Sequence, residues 1–102
     1  MRSVPFQVVR DAYLAKRPGG LFFSRDAVKM FDTRHPRLAF PGPDGALYFV
    51  TSEMDFDGVV RRFTVRVQSG LTGEIHTVSD YLEFATHGKA MRLVASSVGV
   101  AA

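Results

Sequence analysis

The stretch VVRRFTVRV, residues 59 to 67, constrains this chain more than any other. Phe63, Val65 and Val67 fall on one side of it, and Arg62, Thr64 and Arg66 on the other. A period of two with aromatic and β-branched residues on a single side predicts a half-buried antiparallel strand, one face on a core and the other polar. Such a strand needs neighbours, and two are predicted nearby. Ala46 to Glu53 (ALYFVTSE) is rich in strand formers and is joined to it by a hairpin turn, DFDG at 55 to 58. SGLTG at 69 to 73 makes a second turn, and Glu74 to Phe84 then forms a third strand interrupted by a bulge near Ser79-Asp80.

Helical spacing flanks this meander on both sides. In LFFSRDAVKMFDTR, residues 21 to 34, Ser24 is a suitable N-cap and Asp26 places a carboxylate near the positive end of a helix. Phe23 and Val28 occupy the two positions of a hydrophobic staple, and Ala27, Val28, Met30 and Phe31 share a side while Lys29 and Asp32 point away. Pro36 ends the helix. An earlier helix is predicted over 6 to 16, with Val9, Ala12, Tyr13 and Lys16 along one side and Pro18-Gly19-Gly20 closing it. PGPDG at 41 to 45 is a turn cluster. Thr86 caps a last helix whose apolar side carries Ala90, Met91, Val94, Ala95 and Val98, and Gly99 ends it. The expectation is an α+β fold: two N-terminal helices, a three-stranded antiparallel β-meander and a C-terminal helix packed on the sheet, with the helices on one sheet face. Phe22, Phe23, Phe31, Phe49, Phe63 and Val65 are expected to be mostly buried.

A chain of 102 residues forms one domain, 1 to 102, with enough length to bury a core unaided. Its 46% hydrophobic and 23% charged residues are too apolar a mixture for a disordered chain. Without cysteine, neither a disulfide framework nor a thiolate metal site is available. No apolar run approaches the roughly 20 residues of a membrane span, and the N-terminus MRSVPFQVVRDAY carries charges where a signal peptide needs its apolar segment. A soluble, intracellular protein follows, alone or as a small oligomer such as a homodimer.

Charge is unevenly spread. Residues 1 to 37 hold eight Lys/Arg and three acids, residues 38 to 58 hold no Lys/Arg and four acids, and residues 59 to 102 hold five and three. Ten of the thirteen basic residues are arginine, whose planar fork suits phosphate and carboxylate. A GC-rich genome produces the same bias.

No catalytic signature stands out: there is no G-x-S-x-G, no H-E-x-x-H and no Gly-rich phosphate loop. His35, His76 and His87 have no ligand spacing. Glu53, Asp55, Asp57 and Gly58 imitate the start of a calcium loop, but Val59 to Phe63 follow and Thr64 stands where the bidentate carboxylate belongs. A hairpin turn explains those residues. Neither an enzyme nor a cofactor is therefore expected. The informative polar residues are Arg61, Arg62 and Arg66. Like charges on one strand face must be solvated, paired with acids such as Glu53 or Glu74, or aimed at an anionic partner. With Arg10, Lys16, Arg17, Arg25 and Lys29 they form a candidate binding set for an anionic partner or nucleic acid. A three-stranded sheet backed by a helix is a shape that DNA and double-stranded RNA readers use. The last helix nevertheless begins Thr86-His87-Gly88-Lys89, without the lysine cluster of such RNA modules.

The signatures LFFSRDAVKMFDTR, LYFVTSE, RRFTVR and GEIHTVSDYLEFAT occur in this order from about residue 21 to 87. In them the chain resembles an uncharacterised family of small domains from bacteriophages, prophages and plasmids. The resemblance implies a mobile-element accessory protein in the cytoplasm of a host bacterium, and brings no activity, catalytic residue or cofactor with it. The function expected first is non-catalytic binding of a host macromolecule, as by an anti-defence or host-takeover factor. The alternative is a nucleic-acid-binding module using the Arg62/Arg66 face and the basic N-terminal helices. The partner is thus a host protein or nucleic acid, with no membrane.

Overall fold

The computed structural model describes residues 1–16, 35, 37–54 and 57–99. A short strand β1 (Val4–Pro5) leads into helix α1 (Gln7–Lys16). Then come β2 (Leu38–Pro41), β3 (Leu47–Met54), β4 (Arg61–Gln68), β5 (Ile75–Thr77) and helix α2 (His87–Ser97). The strands form one antiparallel sheet in the order β1-β2-β3-β4-β5.

The α+β class stands, but the sheet has five strands rather than three. β1 and β2 are two and four residues long, and each contains a proline, so neither is long enough to display a period of two. Pairing makes them strands: Val4 faces Ala39, and Phe40 faces Tyr48. Pro41 is tolerated because its nitrogen turns away from β3 and lies beyond the end of β1. The expected pair of N-terminal helices is also corrected, since only α1 is N-terminal among the described residues. The helix expected over 24 to 34 lies outside them, as do Phe22, Phe23 and Phe31.

β3 and β4 are the spine of the sheet, paired from Leu47↔Gln68 to Met54↔Arg61. Their alternation divides two cores. Val50, Phe63 and Val65 face one side, where Ala90 and Val94 of α2 seal them with Tyr48, Phe84 and Met91. Phe49 faces the other, where Val9 of α1 meets Phe49 and Ala39, and the Phe6 ring stands edge-on to Phe49 with centroids 5.1 Å apart. The helices therefore lie on opposite faces of the sheet, not on one as expected. Periodicity shows which side of a helix is apolar; it does not say which sheet face receives it.

Local signals set the ends of these elements. The Thr86 hydroxyl accepts from the Lys89 N–H at 3.2 Å, capping α2, and Gly99 turns the chain out at φ +77°. Pro43–Gly45 forms a 3-10 turn between β2 and β3, with Asp44 at φ 58°, a conformation acidic turn residues adopt more readily than most. In the β4–β5 turn the Ser69 hydroxyl accepts from Leu71 and Thr72, both at 3.2 Å. The two turns abut. A β-carbon on Gly70 would stand 2.5 Å from the Asp44 carbonyl oxygen, so only glycine fits there.

Candidate functional site

The sheet face that carries Phe49 also carries the arginines singled out by the sequence. Leu47, Phe49, Thr51 and Glu53 of β3, Arg62, Thr64, Arg66 and Gln68 of β4, and Ile75 and Thr77 of β5 share it by alternation. Helix α1 closes one end. There Gln68 is buried and donates to the Val9 carbonyl at 3.0 Å and the Gly73 carbonyl at 3.3 Å, tying helix, strand and turn together. A buried amide with two acceptors repays much of its desolvation.

The other end is closed by polar side chains and a loop. β5 continues the ladder as far as Val78, whose N–H donates to Val65 at 2.9 Å. An unbroken ladder would next bring Asp80 opposite Phe63, since Arg66 faces Thr77; Phe84 stands there instead, four residues further on. The excess chain bulges out near Ser79-Asp80, so the strand expected over Glu74 to Phe84 is shortened to β5, Ile75–Thr77, and an isolated bridge at Phe84. Arg62 holds the bulge, its Nε donating to the Leu82 carbonyl at 2.7 Å and an Nη to the Glu83 carbonyl at 2.8 Å. Thr64 accepts from the Leu82 N–H at 2.8 Å. Leu82 sits at φ 57°, which a leucine adopts only where its surroundings hold it, and its side chain is buried. Arg66 donates to the hydroxyls of Thr51 at 3.2 Å and Thr77 at 2.7 Å, and lies 5.8 Å from the centre of the Tyr81 ring. Burial draws its guanidinium below the ordinary arginine value, with the Glu53 carboxylate acting in the opposite sense.

Arg62 and Arg66 thus share a face, as expected, with intramolecular partners for both. Arg61 is separated from them, on the α2 side, where it donates to the Ser52 hydroxyl at 2.9 Å. Lys16 at the end of α1 donates to the Leu71 carbonyl at 3.2 Å with its stem against Gly73. Arg10 is exposed on α1. Arg17, Arg25 and Lys29 lie outside the described residues. Sequence reasoning missed Thr51, Thr64, Thr77 and Tyr81; Thr77 facing Arg66 and Thr51 facing Thr64 across the ladder were the available signal, and it had no meaning before the register was known.

The family model that matches this chain, over residues 9–95, is described as a family of unknown function (DUF7447). The chain belongs to that family. The match spans most of α1, the sheet from β2 to β5 and nearly all of α2. No curated protein and no solved structure matches the chain.

Two of the three histidines meet in space. The His35 and His87 rings stack with centroids 3.9 Å apart, and both stand edge-on to Phe63. Stacked rings direct their nitrogens within parallel planes, which packs the start of α2 against residue 35 and does not converge on one ion. Among the described residues no group of three or more His, Asp or Glu is placed to hold a metal. No described helix is long and apolar enough to cross a membrane.

Proposed function

We propose that this chain is a non-catalytic protein-binding factor, of the accessory kind that mobile elements carry, acting on a host protein in the bacterial cytoplasm. One observation carries the reading: the sheet-face arginines are hydrogen-bonded within the fold, while several large apolar side chains are exposed. Arg61, Arg62 and Arg66 all donate to groups of this chain. Leu71 is 85% exposed and Tyr81 49%, with Met54, Val59, Val60 and Val78 also open to solvent. Exposed aromatic and aliphatic residues are what a protein interface desolvates, whereas phosphate binding asks for cations free to exchange counterions. The resemblance of the sequence signatures to those of phage, prophage and plasmid domains supports the accessory role and, with it, an anti-defence or host-takeover effect.

Binding to a 20-base-pair DNA duplex and the matching RNA, measured at low and high salt, tests this first. The expected result is no appreciable binding at either salt, together with specific capture of one host protein by a photo-crosslinker placed at Leu71. Micromolar duplex binding that falls steeply with salt, with a smaller slope in Arg62→Ala/Arg66→Ala, would replace this reading by the nucleic-acid one.

A further inference from the structure

The chain contains two Asp-Gly pairs, Asp44-Gly45 and Asp57-Gly58, and both are exposed. Such a pair can react with itself, because a glycine has no β-carbon to keep its nitrogen away from the preceding side chain. A five-membered ring closes when the main chain turns about the aspartate Cα–C bond and brings the glycine nitrogen against Cγ. Whether either pair reacts is therefore decided by how firmly its peptide plane is held.

The two planes are held differently. Asp44 sits at φ 58° and ψ 30° in the Pro43–Gly45 turn. That turn is closed at its base, where the Gly42 N–H donates to the Ala46 carbonyl at 2.8 Å and the Ala46 N–H to the Pro43 carbonyl at 3.1 Å. Gly70 packs on the Asp44-Gly45 peptide so closely that an added β-carbon would stand 2.5 Å from the Asp44 carbonyl oxygen and 2.6 Å from the Gly45 carbonyl carbon. This peptide turns over only if the two abutting turns part. Asp57-Gly58 lies between β3 and β4, with Gly58 at φ +70°. A β-carbon built on Gly58 would meet nothing within 4 Å. Among the described residues neither the Asp57 carboxylate nor the Gly58 N–H has a hydrogen-bond partner. Exposed loop tips of this kind are where chains open most readily.

We propose that Asp57-Gly58 is a site of spontaneous covalent modification, where aspartate converts through a cyclic imide to isoaspartate, and that Gly70 protects Asp44-Gly45 from the same reaction. The Gly58 nitrogen attacks Asp57 Cγ, forming a C–N bond, and the carboxyl OH leaves with the amide proton as water. Solvent water then opens the ring at either carbonyl. Opening at the side-chain carbonyl restores the original linkage. Opening at the main-chain carbonyl leaves Gly58 joined through Cγ, with one more carbon in the main chain and the carboxylate on Cα. One water is lost and one regained, so no oxidant or cofactor takes part. The extra carbon lengthens the connection that closes the β3–β4 ladder, beside the exposed Met54 and Val59. An aged chain therefore presents an altered hairpin tip with both cores unchanged.

The test is incubation of the full chain in warm neutral buffer for several weeks, followed by electron-transfer fragmentation of its peptides to place isoaspartate by residue. In the folded chain isoaspartate should form at 57 at least about tenfold faster than at 44, and in urea, where Gly70 no longer packs, at similar rates at both. Asp57→Glu keeps the charge but would need a six-membered ring, and should leave position 57 unmodified. No isoaspartate at 57 in the folded chain, whether or not urea produces it, would overturn the site. Equal rates at 44 and 57 in the folded chain would overturn the protection assigned to Gly70.

Discussion

The two faces of one sheet are closed in different ways. On the α2 side, Phe63 and Val65 meet Ala90 and Val94, apolar against apolar, with a whole helix to cover them. On the α1 side, Val9 and Phe49 make a small apolar core at one end, and arginines, threonines and a bulged loop close the other. The first face is held by burial, which tolerates small shifts of its members. The second is held by hydrogen bonds of fixed direction, which fail one at a time and leave orphaned groups behind.

The largest expected effect is in the apolar seam. Phe63→Ala should lower unfolding free energy by about 3–5 kcal/mol in urea melts. Phe49→Ala on the opposite face belongs to the same class, and a much smaller loss there would show α1 to be the looser cover. Gly70→Ala forces a β-carbon against the Asp44 and Gly45 backbone and should cost about 1–3 kcal/mol. That contact joins two turns and serves neither face, so its cost should add to that of Phe63→Ala without coupling.

Arg62→Ala should cost about 1–3 kcal/mol by leaving the Leu82 and Glu83 carbonyls without their charged donor. Hydrogen exchange should locate the damage, with faster exchange at the Leu82 amide and little change in α2. Arg62→Lys should recover only part of the loss, because an ammonium cannot reproduce the two-pronged geometry. Equal protection loss in α2 would mean that the two faces are not separable. The smallest effect is at the helix cap: Thr86→Ala removes the acceptor for the Lys89 N–H and should cost about 1 kcal/mol.

Much of this molecule was legible locally. The β4 alternation, the turns at 41 to 45 and 69 to 73, and the cap and apolar side of α2 each depend on residues within a few positions of one another. Phe49, Phe63 and Val65 are buried as their positions predict. Two elements were not legible. β1 and β2 are too short and too proline-rich to show a period, and exist as strands through their neighbours. The candidate arginines were found as a pair on one face, but their hydrogen-bond partners were not, because solvent and a carbonyl twenty residues away look alike from the strand that carries them.

The sequence by itself determined the α+β class, the polar and apolar sides of β4 and the capped start of α2, because dihedral preference, capping and periodicity act over a turn or two of chain. Only the tertiary structure decided that the helices take opposite faces and that Arg62 and Arg66 are hydrogen-bonded to the bulge and its neighbours. Those outcomes depend on which distant groups come within hydrogen-bonding or packing distance, and that is set by register and topology.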